Sequence, residues 1–167
     1  MPSESYSVRV TKDYLVFCSG HFISYNGSEC ERLHGHNYRV AVSVDGQLDE
    51  NFYLFDFIAL KNLMRALTDE LDHHMLLPTK NPVIRVEANP EEVQVHFRGK
   101  RWIFPREDCI LLPIENTTAE LLAKYLGNRL LQDLRHLHQF EPEVLRMEVE
   151  ENIGQSATYQ WSLDRKG

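Results

Sequence analysis

The sequence predicts an α+β domain in which two helices pack on one face of a four-stranded antiparallel sheet. Residues 6–18 are rich in β-branched and aromatic side chains, and residues 36–45 alternate with the period of two that strands show. Residues 56–71 carry apolar side chains at helical spacing, and a second helix is predicted for 118–137. Two further predicted strands, 144–151 and 157–163, complete an order in which strands bracket the helices.

Turn and capping residues mark the ends of these elements. The strand at 36–45 ends at Asp45-Gly46, which is a turn signal. Asp56 is predicted to cap the first helix, and Thr117 or Thr118 the second. The strands at 144–151 and 157–163 are joined by a predicted turn at 152–156.

Between the helices, residues 83–112 break into short alternating runs. The runs are VIRVEA, VQVHF and KRWIF, and they are separated by Asn89-Pro90 and Arg98-Gly99. This pattern predicts extra strands or a hairpin inserted into a single domain that spans 1–167.

Composition excludes several classes of protein. The chain has 167 residues, of which 43% are hydrophobic and 26% charged, as in ordinary globular domains. The net charge of −7 argues against a general binder of nucleic acid or of anionic membranes. We expect no transmembrane span and no secretory signal. Three cysteines without CxxC spacing indicate reduced thiols and a cytoplasmic location.

Three histidines are predicted to converge on one point. His34 and His36 lie two residues apart, so in a strand both point to the same face. His21 follows the first predicted strand and can meet them across the pair. Three imidazoles with a fourth position open form the ligand set of a catalytic zinc (Zn2+) site. The alternative is that an HxH pair consists only of surface or packing residues.

Four other residues are candidates for proton transfer or ligand binding. Cys30 lies four residues before His34, where a metal could lower the pKa of its thiol, although it could equally be an ordinary loop cysteine. Asp72 beside His73 could form a proton relay, or the histidine could simply favour a helix C-terminus. Local sequence does not distinguish His73 from His74. Glu151 is predicted on the apolar side of its strand, where a carboxylate needs a partner, unless the strand frays and leaves it solvated.

These motifs, taken in order, resemble the 6-pyruvoyl-tetrahydropterin synthase / 6-carboxy-tetrahydropterin synthase family. The motifs are FCSGH at 17–21, CERLHGHNY at 30–38, Asp56-Phe57 with Lys61, LDH at 71–73, TTAE at 117–120, and the segment 151–159. The resemblance covers nearly the whole chain except 83–112.

The resemblance implies a tunnelling (T-) fold, in which subunits join their sheets into a barrel, usually as a hexamer with active sites at subunit interfaces. It implies zinc bound by His21, His34 and His36, and it assigns proton transfer to Cys30, Asp72 and His73. Glu151 would anchor a pterin ring, with Thr117 and Thr118 nearby.

The implied substrate is 7,8-dihydroneopterin triphosphate. The short spacing from Cys30 to His34 favours a 6-carboxy-tetrahydropterin synthase of queuosine biosynthesis, and the alternative is a 6-pyruvoyl-tetrahydropterin synthase. Leu77, Asn152 and the insertion depart from the family pattern and leave the product open.

Two other classes of function compete with this interpretation. One is a non-catalytic pterin-binding T-fold protein, which the joint presence of Cys30, Asp72 and His73 disfavours. The other is a zinc hydrolase, for which no glutamate stands in HExxH spacing. A single sheet with helices on one face leaves its edges uncovered, so we expect a homo-oligomer. The resemblance implies a hexamer, and we expect the 83–112 insertion on its periphery.

Overall fold

The computed structural model describes residues 4–164. The two helices are α1 (Phe57–Leu71) and α2 (Ala119–His138). The first strands are β1 (Tyr6–His21), β2 (Ser24–Tyr25), β3 (Glu29–Cys30) and β4 (His34–Gly46). The remaining strands are β5 (His74–Pro78), β6 (Arg85–Ala88), β7 (Glu92–Phe97), β8 (Lys100–Pro105), β9 (Cys109–Leu112), β10 (Val144–Asn152) and β11 (Gln155–Ser162).

The main sheet has six strands, in the order β11-β10-β4-β1-β5-β9, and not the four strands that the sequence predicted. The antiparallel strands β1, β4, β10 and β11 correspond to the four predicted ones. The two additional strands, β5 and β9, run parallel to β1 and make the sheet mixed. Their sequences, HMLLP and CILL, are short apolar runs without alternation, as buried parallel strands are, so a search for period two does not find them.

Both helices begin at the predicted caps and pack into one core. The Asp56 carboxylate accepts a hydrogen bond from the Ile58 amide at 2.6 Å, and the Thr118 hydroxyl accepts one from the Leu121 amide at 3.4 Å. Buried leucines and methionines of both helices meet the buried side chains of β1, β4 and β10 in one cluster. The opposite face of the sheet carries polar side chains, such as the ion pair between Arg9 and Glu148 at 3.0 Å.

The inserted segment forms a second sheet with its own small core. β6, β7 and β8 make a three-stranded antiparallel sheet, which confirms the extra strands predicted for 83–112, while β9 at the end of that segment belongs to the main sheet. That this segment is an insertion stays a prediction. The second core joins this sheet to the main one through buried side chains of both. They are Phe22, Leu77, Ile84, Val93, Val95, Phe97 and Cys109.

Neither helix is long and apolar enough to cross a membrane, among the residues 4–164 that the structure describes.

Candidate active site

Strand pairing brings three histidines together at one end of the main sheet. His21 is the last residue of β1 and pairs in register with His34, the first residue of β4. His36 lies two residues further along β4, on the same face as His34. The centroids of the three imidazole rings are 4.7–5.2 Å apart, and one nitrogen of each ring lies within 4.8 Å of the others. The predicted convergence is therefore present in the structure.

Backbone carbonyls orient two of these rings. The Nδ1 of His21 donates to the Thr117 carbonyl at 3.0 Å, and the Nδ1 of His34 donates to the Arg32 carbonyl at 2.8 Å. A ring that donates through Nδ1 keeps a lone pair on Nε2, which is the second-shell pattern of metal-ligating histidines.

The His36 ring and the charge state of His21 also suit a metal. The Nε2 of His36 is buried and has no hydrogen-bond partner within residues 4–164. Burial lowers the pKa of His21 to about 4, and the neighbouring His34 and His36 lower it too, while the bond to Thr117 opposes the shift. His21 is thus neutral near pH 7, as a metal ligand must be. The donor set fits a borderline metal ion such as zinc.

Glu151 and Tyr38 complete this end of the sheet. Glu151 lies at an irregularity of β10, between the paired residues Glu150 and Asn152. Its Oε1 is 3.4 Å from the Nε2 of His21 and 3.6 Å from the Nε2 of His36. The buried Tyr38 hydroxyl donates to the same oxygen at 3.4 Å. Glu151 therefore points towards the histidines and does not fray into solvent.

Tyr38 is a site residue that the sequence analysis missed. Its hydroxyl is 3.1 Å from each ring nitrogen of His21. Burial and the adjacent Glu151 carboxylate hold the pKa of Tyr38 well above its usual range, so the hydroxyl remains a proton donor. The signal was available, because His34, His36 and Tyr38 follow one another at the spacing of one strand face.

Asp72 and His73 form the predicted pair just after α1. The Oδ2 of Asp72 is 2.8 Å from the Nδ1 of His73, and its Oδ1 accepts the Cys18 amide at 2.7 Å. Burial alone raises the pKa of Asp72, but the hydrogen bonds from Cys18 and His73 outweigh it and bring the pKa below its usual value. The His73 side chain is 81% exposed. An ionised carboxylate thus holds an accessible imidazole.

One cavity connects this pair to the histidine cluster. It has a volume of about 550 Å³, and His34, His73, His74 and Cys18 are among the residues that line it. Cys18 and Cys109 both lie in apolar strand-like runs, a pattern that predicts packing residues. Cys109 is indeed buried, but Cys18 is exposed because Phe17 and Ser19 take the core-facing positions of β1.

Cys30 lies elsewhere in this chain. It ends β3 and lines a separate cavity of about 330 Å³, formed with the turn between β7 and β8. Burial raises the pKa of its thiol, and the nearby Lys100 opposes that shift. The residue after it, Glu31, was not singled out in the sequence, yet its carboxylate is 3.9 Å from the Nε2 of His34.

The two threonines have structural positions. Thr118 caps α2. Thr117 is fully buried, its carbonyl orients His21, and its hydroxyl donates to the Phe22 carbonyl at 3.5 Å. Their part in substrate binding stays a prediction.

A mixed sheet with two helices, which carries a histidine triad that could hold a metal ion beside an Asp-His pair, is the architecture of the T-fold class. Comparison with known proteins gives the family. The family model described as 6-pyruvoyl tetrahydropterin synthase matches residues 9–162. The chain therefore belongs to this family of lyase-type enzymes, as its motifs suggested.

Individual relatives agree with this assignment. A protein of Methanocaldococcus jannaschii described as a putative 6-carboxy-5,6,7,8-tetrahydropterin synthase is 33% identical over 153 residues, which cover 91% of this chain and 93% of that protein. The 6-pyruvoyl tetrahydropterin synthase of Plasmodium falciparum superposes with a TM-score of 0.88 at 31% identity, covering 96% of this chain and 100% of that one. A catalytic-residue mutant of the Plasmodium vivax enzyme, in which a glutamate is replaced by alanine, gives a TM-score of 0.88 at 27% identity with the same coverage.

Proposed function

We propose that this chain is a zinc-dependent lyase that converts 7,8-dihydroneopterin triphosphate to 6-carboxy-5,6,7,8-tetrahydropterin. The observation that carries the proposal is the convergence of His21, His34 and His36 at the edge of a cavity that His34 and His73 line. The 6-carboxy product is favoured by the description of the Methanocaldococcus relative and by the short spacing between Cys30 and His34. That same spacing supports a place in queuosine biosynthesis.

The three histidines would hold the zinc through their free ring nitrogens. The ion, when bound, supplies a Lewis acid for the oxygens of the substrate side chain. The residues around the ion would bind the pterin ring and transfer protons.

Glu151 is proposed to bind the pterin ring. A pterin presents its 2-amino group and a ring N–H as two parallel donors, and one carboxylate can accept both. The Glu151 side chain is 29% exposed, so one side of the carboxylate is open to a ligand while Tyr38 holds the other. Thr117 and Thr118 lie beside this end of the sheet and would form part of the same pocket.

Cys30 and the Asp72–His73 pair are proposed to transfer protons. The Cys30 thiolate would take a proton from the side chain of the substrate, and His73, held by Asp72, would return one. Triphosphate then leaves by elimination. For the 6-carboxy product, one water is consumed and the bond between the first and second carbons of the side chain breaks, so that the first carbon becomes the carboxylate and the other two leave as acetaldehyde. The oxidation and the reduction balance within the substrate, so no redox cofactor is needed.

Glu31 is a second candidate for the base. Its carboxylate is 3.9 Å from the Nε2 of His34, whereas Cys30 lines a separate cavity. The glutamate described as a catalytic residue in the Plasmodium vivax enzyme gives a precedent in a related protein. That enzyme releases a 6-pyruvoyl product by its description, so 6-pyruvoyl-tetrahydropterin is the alternative product.

The separation of Cys30 from the cavity that holds His34 and His73 supports an assembled site. Large exposed apolar side chains gather before and at the start of α1, where Phe52 is 84% and Ile58 63% exposed. Such a cluster suits a contact with another copy of the chain. We propose a hexamer in which a neighbouring chain brings its own proton-transfer residues to each site.

The decisive experiment is to incubate zinc-loaded protein with 7,8-dihydroneopterin triphosphate and identify the pterin product by mass spectrometry. Formation of 6-carboxy-tetrahydropterin supports the proposal, and 6-pyruvoyl-tetrahydropterin supports the alternative. If neither product forms while the protein still binds pterin, the chain is a binding protein. Glu31→Gln and Cys30→Ala, assayed side by side, identify the base.

A further inference from the structure

The hairpin of β7 and β8 packs against the segment that carries Cys30. The ring of Trp102 stacks on that of Phe22, with centroids 4.8 Å apart, and Phe22 directly follows the metal-site residue His21. Cys30 packs against the same apolar cluster. The inserted sheet is thus attached to the site and does not simply project from the domain.

The alternation of β8 decides which of its residues face Cys30. Trp102 and Phe104 point into the second core, and Lys100, two residues before Trp102, lies on that same face. Arg101 points to the opposite face, where it pairs in register with His96. Lys100 therefore ends the apolar face of the hairpin, and it lines the cavity of about 330 Å³ together with Cys30.

The charged and titratable groups around this cavity have opposing effects on the thiol. Tyr25 and Glu29 face the cavity from β2 and β3, and Arg98 and Lys100 face it from the hairpin. Burial raises the pKa of Cys30, Lys100 lowers it, and Glu31 raises it. A thiol in partly apolar surroundings needs such a cation to ionise near neutral pH.

We propose that Lys100 is a positioning residue that stabilises the thiolate of Cys30 from the inserted hairpin. The segment that carries β8 then has a role in the site, because it supplies a positive charge beside Cys30. An effect of Lys100 on turnover rests on the proposed function of Cys30. The effect of Lys100 on ionisation of the thiol does not, so thiol ionisation and turnover can be measured separately.

The test measures the rate of alkylation of Cys30 by iodoacetamide as a function of pH in the zinc-loaded protein, with Cys18, Cys30 and Cys109 resolved by peptide mass spectrometry. A neutral reagent is needed because a charged one would itself be attracted or repelled by Lys100. Lys100→Met removes the charge, Lys100→Arg keeps it, and Arg101→Met removes a charge from the opposite face of the same strand.

We expect Lys100→Met to slow alkylation of Cys30 at pH 7.5 by about twofold to fivefold, the range for an exposed charge pair, and to move the rate profile to higher pH. Lys100→Arg and Arg101→Met should match the unmodified protein, and the rate at Cys18 should not change. The difference should shrink in 1 M KCl, where the screening length is about 3 Å.

An unchanged pH profile of Cys30 alkylation in Lys100→Met would overturn the proposal. So would an equal loss of alkylation rate in Arg101→Met. Slowing that persists in 1 M KCl would also overturn it, since it would mean that the hairpin had merely shifted. Turnover of Cys30→Ala is recorded separately. If that variant were fully active while the alkylation result held, the proposed role of the thiol in catalysis would be wrong and the coupling to Lys100 would stand.

Discussion

Zinc should raise the melting temperature of the chelated protein by about 8–16 °C when it is added at a thousand times its dissociation constant. The structure supplies the reason, because the buried Nε2 of His36 has no hydrogen-bond partner among residues 4–164 and a bound metal ion would satisfy it. An ion that binds only the folded state contributes about 4 kcal/mol at that concentration. For a domain of this size, each kcal/mol corresponds to about 2–4 °C.

Scanning fluorimetry with and without zinc, together with metal analysis, measures this effect. His36→Ala should abolish the zinc-dependent increase and the stoichiometric zinc. It should lower the melting temperature of the zinc-free protein much less, because it removes a buried nitrogen that had no partner. His136→Ala is the matched control, since His136 is exposed in the last turn of α2 and should leave the full increase in place. A full zinc-dependent increase in His36→Ala would refute the assignment of the ligands.

Four further predictions test the rest of the site and the assembly. Cys30→Ala should keep the fold and the zinc but lower kcat by about 10²–10⁴-fold, whereas Cys109→Ala should turn over nearly normally, and normal turnover of Cys30→Ala would exclude the thiol. Glu151→Gln should weaken pterin binding by about 1.5–3 kcal/mol in calorimetry with little change in melting temperature, and unchanged affinity would remove Glu151 from the pterin site. Asp72→Asn should cost about 1 kcal/mol of unfolding free energy at pH 7, a value discounted for its partial exposure. Because folding lowers the pKa of Asp72, this cost should disappear as the pH falls through that pKa in urea titrations, and a cost that persists in acid would contradict the charge argument. Light scattering should report several chains per particle, with activity falling on dilution, and a fully active monomer would contradict the interface site.

The histidine cluster could be predicted from the sequence because a strand alternates with a fixed period. Once β1 and β4 are paired, two histidines at i and i+2 share a face, and a third at the end of the neighbouring strand lies opposite the first. The same rule covers Tyr38. Both helix caps could be predicted for a similar reason, since a cap is a local hydrogen bond between residues two or three apart.

The parallel strands and the surroundings of Cys30 could not be predicted in this way. β5 and β9 pair with strands far away in the sequence, and their short apolar runs do not differ in pattern from a buried helix segment. The contact between Cys30 and the inserted hairpin joins residues about 70 positions apart through the stacking of Phe22 on Trp102. Only the packed structure shows that a basic residue of the insertion faces the thiol.

Local backbone geometry bears on the choice between His73 and His74, which the sequence left open. Asp72 ends α1 in an extended conformation, His73 takes a φ of 59°, and His74 begins β5. A positive φ is uncommon for residues other than glycine, although histidine adopts it more readily than most. Here it is held by the hydrogen bond from the His73 amide to the Cys18 carbonyl at 2.7 Å and by the ring contact with Asp72. This residue places its ring against a carboxylate, whereas His74, which lines the same cavity, has a buried Nδ1 without a hydrogen-bond partner among residues 4–164. Of the two histidines, His73 is the one held by an ionised carboxylate, and this favours it as the predicted proton donor.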